Sequence, residues 1–452
     1  MKHIENRGHN GRNHTNLSRV EPIVAVYAHN RADNDEMLGT WQFDRFGAEA
    51  FPGVKNAKLV FLAEKLETTY PNRIYIGLGG TVKNPQGYVF DEHTPQGRLQ
   101  GTCAALLVAQ RLRVLGKPGM KELLEETLWC DTQPKVGHTQ LANLIKIMHR
   151  VKGGGDQEAT YLWASAAYDA IVFGRTDERF DLEAAWKDYS LHRGYNKAHN
   201  STQKVSRYIR GSVAHKGERV TELAAIASKM RSPVRERWLK EAFRALYLDE
   251  VLHMKALAEM KEKPVAVEID VDSAKARAFF IESDNEYAGK AAKSSIEGPW
   301  AIVAIRSSSG QYQVVSNPNG GPSLEDFATM VRMAEHKART GRKASIVEAM
   351  GNGTKECSPE WHLAFERLLL SGSFAHPYNR SLLPMSAIID IAKSAFSGNG
   401  QAEWIERYES SPDGASSVQK TATRDGWEAV VGSLDLGAVL DGASEAAQKA
   451  TQ

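Results

Sequence analysis

Three short clusters of side chains in this chain have the composition of divalent-cation sites. The first is His29-x-x-x-Asp33-x-Asp35, which puts three potential ligands within seven residues. The second is Asp91-Glu92-His93, and the third is Cys130-Asp131-Thr132 at the end of the stretch LLEETLWCDT. Hard cations such as Mn²⁺ and Mg²⁺ prefer carboxylate oxygen, and Mn²⁺ also accepts imidazole. An ion held this way lowers the pKa of a bound water enough for it to attack a phosphoester. Singly, an aspartate after a strand is more often a helix cap or turn former than a ligand. Their occurrence together makes a metal-dependent hydrolytic centre the chemistry to test.

Such ligands work only if folding brings them together. Ile23, Val24, Val26 and Tyr27 form an apolar, β-branched run that reads as a buried parallel strand, and it breaks at once into the turn carrying His29, Asp33 and Asp35. In an open α/β sheet, ligands bind beyond the carboxyl ends of the strands, which is where this turn would lie. Further strands are expected at Lys58–Ala63, at Arg73–Leu78 ending in Gly79-Gly80, and at Tyr88–Phe90 leading into Asp91. Helical spacing covers Met37–Phe46, Thr102–Leu115 and Met120–Trp129. Strands separated by helices imply an α/β, doubly wound, mainly parallel sheet over residues 21–152.

The run Lys152-Gly153-Gly154-Gly155-Asp156 reads as the edge of this unit, with a phosphate-cradling loop as the alternative. Residues 153–262 read as a helical, charged middle region whose clearest helix is Arg235–Lys261. Within it His192, Arg193, Lys197, His199, Lys204, Arg207, Arg210, His215, Lys216 and Arg219 are interleaved with Tyr189, Tyr195 and Tyr208. This stretch is either a phosphate-backbone contact surface or an ordinary solvated face. Arg207 and Arg210, with Asn30 and Arg31 beside the first cluster, are the candidate substrate contacts.

A second, smaller α+β domain is expected over 263–396. It would contain a strand at Val265–Val271, a hairpin of Trp300–Arg306 and Gln311–Ser316, and helices near Ser323–Ala338 and Pro359–Leu370. Residues 1–20 and 397–452 read as flexible tails, the latter with one apolar segment, Trp427–Leu440, able to dock on a protein partner.

With 452 residues the chain is long enough for two or three domains. Hydrophobic residues at 42 % and charged residues at 25 % are ordinary for a globular protein. The net charge of +2 makes no whole-molecule case for nucleic acid, although a local basic groove would be invisible in the sum. Cys103, Cys130 and Cys357 are widely spaced, which argues against a zinc finger or a disulfide framework. The first twenty residues carry no signal-peptide core and no run of eighteen apolar residues occurs, so a soluble, cytoplasmic protein without membrane contact is expected. Self-association is left open.

The order of these clusters, with the runs AHNRADNDE, IYIGLGGTVKNPQGYVFDEHTPQG and GTCAALL, resembles the DHH phosphoesterase superfamily of RecJ-type exonucleases, nano-RNases and family II inorganic pyrophosphatases. It is most similar to the branch once called metal-dependent protein hydrolases, whose human member is regarded as an RNA exonuclease. The resemblance covers about residues 22–150 and is faint beyond. It implies a DHH-like fold, one or two Mn²⁺ or Mg²⁺ ions, and RNA or a short oligonucleotide as substrate. His29 and Asp33 would hold one metal, Asp35 would bridge or hold the second, and Asp131 would ligate from the fourth motif. Asp91 and His93 match the first and last letters of the DHH triplet, with His93 near the scissile phosphate. Two positions depart from the pattern: Glu92 stands for the middle histidine, and Gly77 stands where the second motif has a bridging aspartate. A member lacking that aspartate could instead keep the fold to bind nucleic acid, a nucleotide or a protein.

Overall fold

A computed structural model describes residues 21–411, apart from 63–65, 67, 79–84, 95–96, 134–135, 152–155, 263–264, 272–273, 296–299 and 373–379. The expectations for the N-terminal tail, Gly79-Gly80, the triple glycine and Trp427–Leu440 lie outside the described residues. Two compact units emerge. One comprises Met1–Lys263 with Asp284–Ile296, and the other mainly Pro264–Ser283, Glu297–Gly372 and Asn379–Gln452.

The first unit is α/β. Strands β1 (Ala25–His29), β2 (Lys58–Leu62), β3 (Arg73–Ile76) and β4 (Tyr88–Phe90) form a parallel sheet in the order β2-β1-β3-β4. β1 is central, and its last residue, His29, pairs with Leu62. Helix α1 (Asn34–Phe46) follows β1 and packs on α2 (Ala104–Leu112). Gly39 lets the two approach, since a Cβ there would meet Ile76 Cγ2 at 3.0 Å and Val108 Cγ2 at 3.4 Å. A two-residue ribbon, β5 (His93–Thr94) with β6 (Gly97–Arg98), follows β4.

Helices α3 (Met120–Thr132), α4 (Leu141–Val151), α5 (Gln157–Phe173), α6 (Leu182–His192), α7 (Asn200–Ala214), α8 (Leu223–Lys229) and α9 (Ser232–Glu262) come next, with α10 (Ala288–Ser295) packed on α9. The middle helices share a core with α1: Met37, Leu38 and Trp41 are buried with Leu144, Tyr168, Trp186, Phe243 and Leu246. The stacked pair Trp163–Trp238, with centroids 4.7 Å apart, ties α5 to α9, each indole N–H donating to the other residue's carbonyl.

The second unit is a seven-stranded mixed sheet, β7 (Val265–Val271), β8 (Ala274–Glu282), β9 (Trp300–Arg306), β10 (Tyr312–Ser316), β11 (Gly353–Lys355), β12 (Ser358–Ala364) and β13 (Leu368–Ser371), ordered β11-β12-β13-β10-β9-β8-β7. Only β8 and β9 pair in parallel. Helices α11 (Glu325–Thr340), α12 (Ile346–Ala349), α13 (Met385–Ala395) and α14 (Gly400–Ser410) complete it, with Phe327, Val331 and Ile388 in its core.

Two expectations are corrected here. Pro359–Leu370 is not a helix but the hairpin β12–β13: Trp361 and Leu363 alternate inward while His362 faces out. Its turn places Phe365 and Glu366 at φ of +51° and +55°, the backbone of a tight primed turn without the usual Asn-Gly signal. Helix α14 lies within the stretch expected to be flexible, and Tyr408 buries itself with Met333 and Ala349. Among the described residues no helix is long and apolar enough to cross a membrane.

Candidate metal centre

At the end of β1 the chain turns through Arg31, at φ +59°, and enters α1 with Asp33 as its N-cap. The Asp33 carboxylate accepts from Asp35 N at 3.2 Å, and Asp33 N donates to Glu36 Oε2 at 3.3 Å. Asp33-x-x-Glu36 is thus a capping box, satisfying orphan donors at the positive end of the helix dipole. Asp35, almost fully buried, accepts from Ala104 N at 2.9 Å and so also anchors the start of α2. Asp131 arrives in the last turn of α3.

The fold brings Asp33, Asp35 and Asp131 together: one carboxylate oxygen from each lies within 4.8 Å of the other two. Asp91, Glu92 and His93 form a second such group. Asp91 Oδ1 accepts from His93 N at 2.8 Å and sits 3.0 Å from His93 Nδ1, so this aspartate orients an exposed imidazole. Glu92 is buried. Arg98 on β6 joins the groups, its Nη2 lying 3.3 Å from Glu92 Oε1 and bonding Asp131 Oδ2.

Gly77, at φ +65°, follows β3 in the place where the resemblance expects a carboxylate. A Cβ on Gly77 would run into the Glu36 side chain, with Cδ at 2.8 Å and Cγ at 2.9 Å. Glu36 is buried and its Oε1 bonds His29 Nδ1. A carboxylate therefore does occupy the space in front of β3, delivered from α1.

The electrostatics follow from crowding. Burial and the neighbouring Asp33 charge push Asp35 well above the ordinary carboxylate range. Burial acts on Asp33 in the same sense, but the bond from Asp35, the Lys146 charge and two backbone N–H groups outweigh it and hold Asp33 low. The crowding thus drives the two carboxylates apart in acidity, Asp33 down and Asp35 up. Burial pushes Glu36 up to about 7. His29, although its own burial acts to lower it, is raised by Glu36, Asp91 and Asp33. Buried carboxylates that cannot all ionise without a counter-charge are what a hard cation relieves, so the donor set fits such an ion. The thiols offer no alternative nucleophile: burial pushes Cys103 up to about 11 and Cys130 to about 12.

Of the candidate substrate contacts, Asn30 Oδ1 accepts from Gln157, and Arg31 pairs with Glu286 at 2.9 Å. Arg207 and Arg210 lie on α7 and belong to neither carboxylate group. Sequence reasoning missed Glu36, Arg98 and Lys146. Only Glu36 left a signal, as the fourth residue of the capping box.

The chain matches no family model and no curated protein. A solved structure of an uncharacterized protein from Helicobacter pylori G27 aligns over 83 % of this chain and 99 % of that one, at 11 % identity and a TM-score of 0.16. A superposition so loose carries no argument about fold or activity.

Proposed function

We propose that the first unit is a metal-dependent phosphodiesterase acting on RNA or short oligonucleotides, with one Mn²⁺ or Mg²⁺ held by Asp33, Asp35 and Asp131 beside His29. The observation that carries this reading is the convergence of those three carboxylates within 4.8 Å from two separate helices. When bound, the ion would supply a water of lowered pKa. Arg98 contributes a fixed positive charge where a second ion would otherwise be needed, and a planar guanidinium suits phosphate oxygens. His93, oriented by Asp91 and exposed, is placed to exchange a proton with solvent or a leaving group. Glu36 supplies the carboxylate absent from Gly77.

The test combines metal analysis after Mn²⁺ loading with hydrolysis of a short labelled RNA. Wild type is expected to hold about one ion and to cleave, while Asp33→Ala and Asp131→Ala do neither. An Arg98→Ala variant that binds a further ion would support Arg98 as the second charge. A wild type that neither binds Mn²⁺ nor cleaves would refute the proposal. Arg98 also favours a second reading, a non-hydrolytic binder of nucleic acid, nucleotide or protein, because its contacts to Glu92 and Asp131 neutralise two carboxylates without any metal. That reading predicts ligand binding without turnover.

A further inference from the structure

A groove of about 630 Å³ opens between α6 and α7, lined in part by Trp186, Lys187, Lys197, Thr202, Arg207 and Arg210. Among the described residues no carboxylate lines it. Lys187, Lys197, Arg207 and Arg210 are all exposed, and none makes an ion pair or side-chain hydrogen bond among the described residues. Other cations of this unit are different: Arg150 pairs with Asp249, Lys204 with Glu250, and Arg235 with Asp177. Thr202 lines the groove with its methyl-bearing side chain 4 % exposed, and its Oγ1 is sealed from solvent without a partner among the described residues. Four exposed cations without a carboxylate partner around one concavity have the composition of an anion site.

We infer that this groove docks the phosphate backbone of a single-stranded oligonucleotide. The four cations come from three successive segments, α6, the connection after it, and α7, where Arg207 and Arg210 are about 4.5 Å apart along the helix axis. A spread of charge of that kind suits several phosphates in a row rather than one. Trp186 is only 4 % exposed and donates its indole N–H to Ser206, so it offers no open face for stacking a base. Binding is therefore to backbone and indifferent to sequence. The choice of an oligonucleotide over other polyphosphates rests on the phosphodiesterase reading; the groove's anion chemistry does not.

The experiment measures binding of a short labelled single-stranded RNA to the full chain in EDTA, across a salt series, so that hydrolysis plays no part. Four phosphate contacts predict a slope of about −2.8 in log K against log salt, and Arg207→Ala/Arg210→Ala reduces its magnitude by about 1.4. Lys187→Ala/Lys197→Ala, on different segments, is expected to do the same. An unchanged slope in both double variants overturns the proposal. So does displacement of the RNA by inorganic phosphate or a nucleoside triphosphate at equal concentration, which would make this a small-phosphate site. RNA binding in EDTA alongside absent Mn²⁺-dependent cleavage would uphold the groove while refuting the phosphodiesterase.

Discussion

Gly77→Asp is the most informative single change, because it restores the carboxylate that the sequence pattern leads one to expect. The structure predicts that this repair does harm. An aspartate at φ +65° costs about 1 kcal/mol in backbone strain. Its Cβ would also collide with the Glu36 carboxylate and place a second buried acid beside it, for about 2 kcal/mol more. A loss of about 3 kcal/mol corresponds to a fall in melting temperature of about 5 °C for a unit of this size. Adding Glu36→Ala removes both the collision and the like charge, so the double variant should recover about 2 kcal/mol despite losing the capping box. The assay is a double-mutant cycle of metal-free melts, with Mn²⁺ titrations on the same four proteins. Glu36→Ala alone should bind Mn²⁺ more weakly than wild type, and the double variant should regain affinity because a carboxylate again fills the space. Additivity within about 0.5 kcal/mol, or a double variant that binds no better than Glu36→Ala, would refute the exchange of roles between positions 36 and 77.

Other outcomes follow from the same geometry. Asp35→Asn keeps an acceptor for Ala104 N but removes the repulsion from Asp33, so the metal-free protein should gain about 1 kcal/mol by denaturant titration while Mn²⁺ binding falls sharply. Glu36 and His29 both bind protons more tightly in the folded protein than at their ordinary values of 4.5 and 6.5. Their stabilisation is therefore present at low pH and lost as pH rises through about 7, where Mn²⁺ affinity should climb as the Glu36 proton leaves; melts and titrations from pH 5 to 8 check both signs. In the second unit, fully buried Arg332 donates to Ala349 O at 2.8 Å and Gly351 O at 2.7 Å and also bonds Gly353 O. Arg332→Met should cost about 3 kcal/mol by orphaning these carbonyls, read as an earlier denaturant transition.

The parallel sheet was legible because β1 to β4 are short, apolar and ended by polar turns, and each appears within a residue or two of its expected place. Asp33, Asp35 and Asp131 were legible as candidates because carboxylates at element ends are easily seen in a sequence. Their convergence was expected only from the resemblance and not from spacing, since it depends on how α3 packs against α1. Glu36 was hidden by proximity: it reads as a cap, and only the empty Cβ direction of Gly77 shows where its carboxylate points. Arg98 is invisible for a different reason, being a lone basic residue in a polar turn whose partners, Glu92 just before the ribbon and Asp131 on α3, meet it only in the fold. The misread hairpin at Pro359–Leu370 carries Phe365 and Glu366 in a conformation usually left to Asn and Gly, so the turn had no compositional mark. Arg207 and Arg210 were picked out by charge alone, and it took the fold to show that they share a groove with Lys187, Lys197 and Thr202.

The first unit is discontinuous in sequence, and this sets the order in which it can be completed on the ribosome. Tyr287 belongs to it, and its hydroxyl bonds Asp249 and accepts from Arg150 Nε at 2.9 Å. That residue is translated only after strands β7 and β8 of the second unit. A nascent chain halted at residue 263 would hold the whole carboxylate cluster but leave the Arg150–Asp249 pair without its phenol and the α10-covered face of α9 bare. Cotranslational closure of the site-bearing half must therefore wait for part of its neighbour, and a cut between residues 263 and 284 would sever a unit rather than separate two.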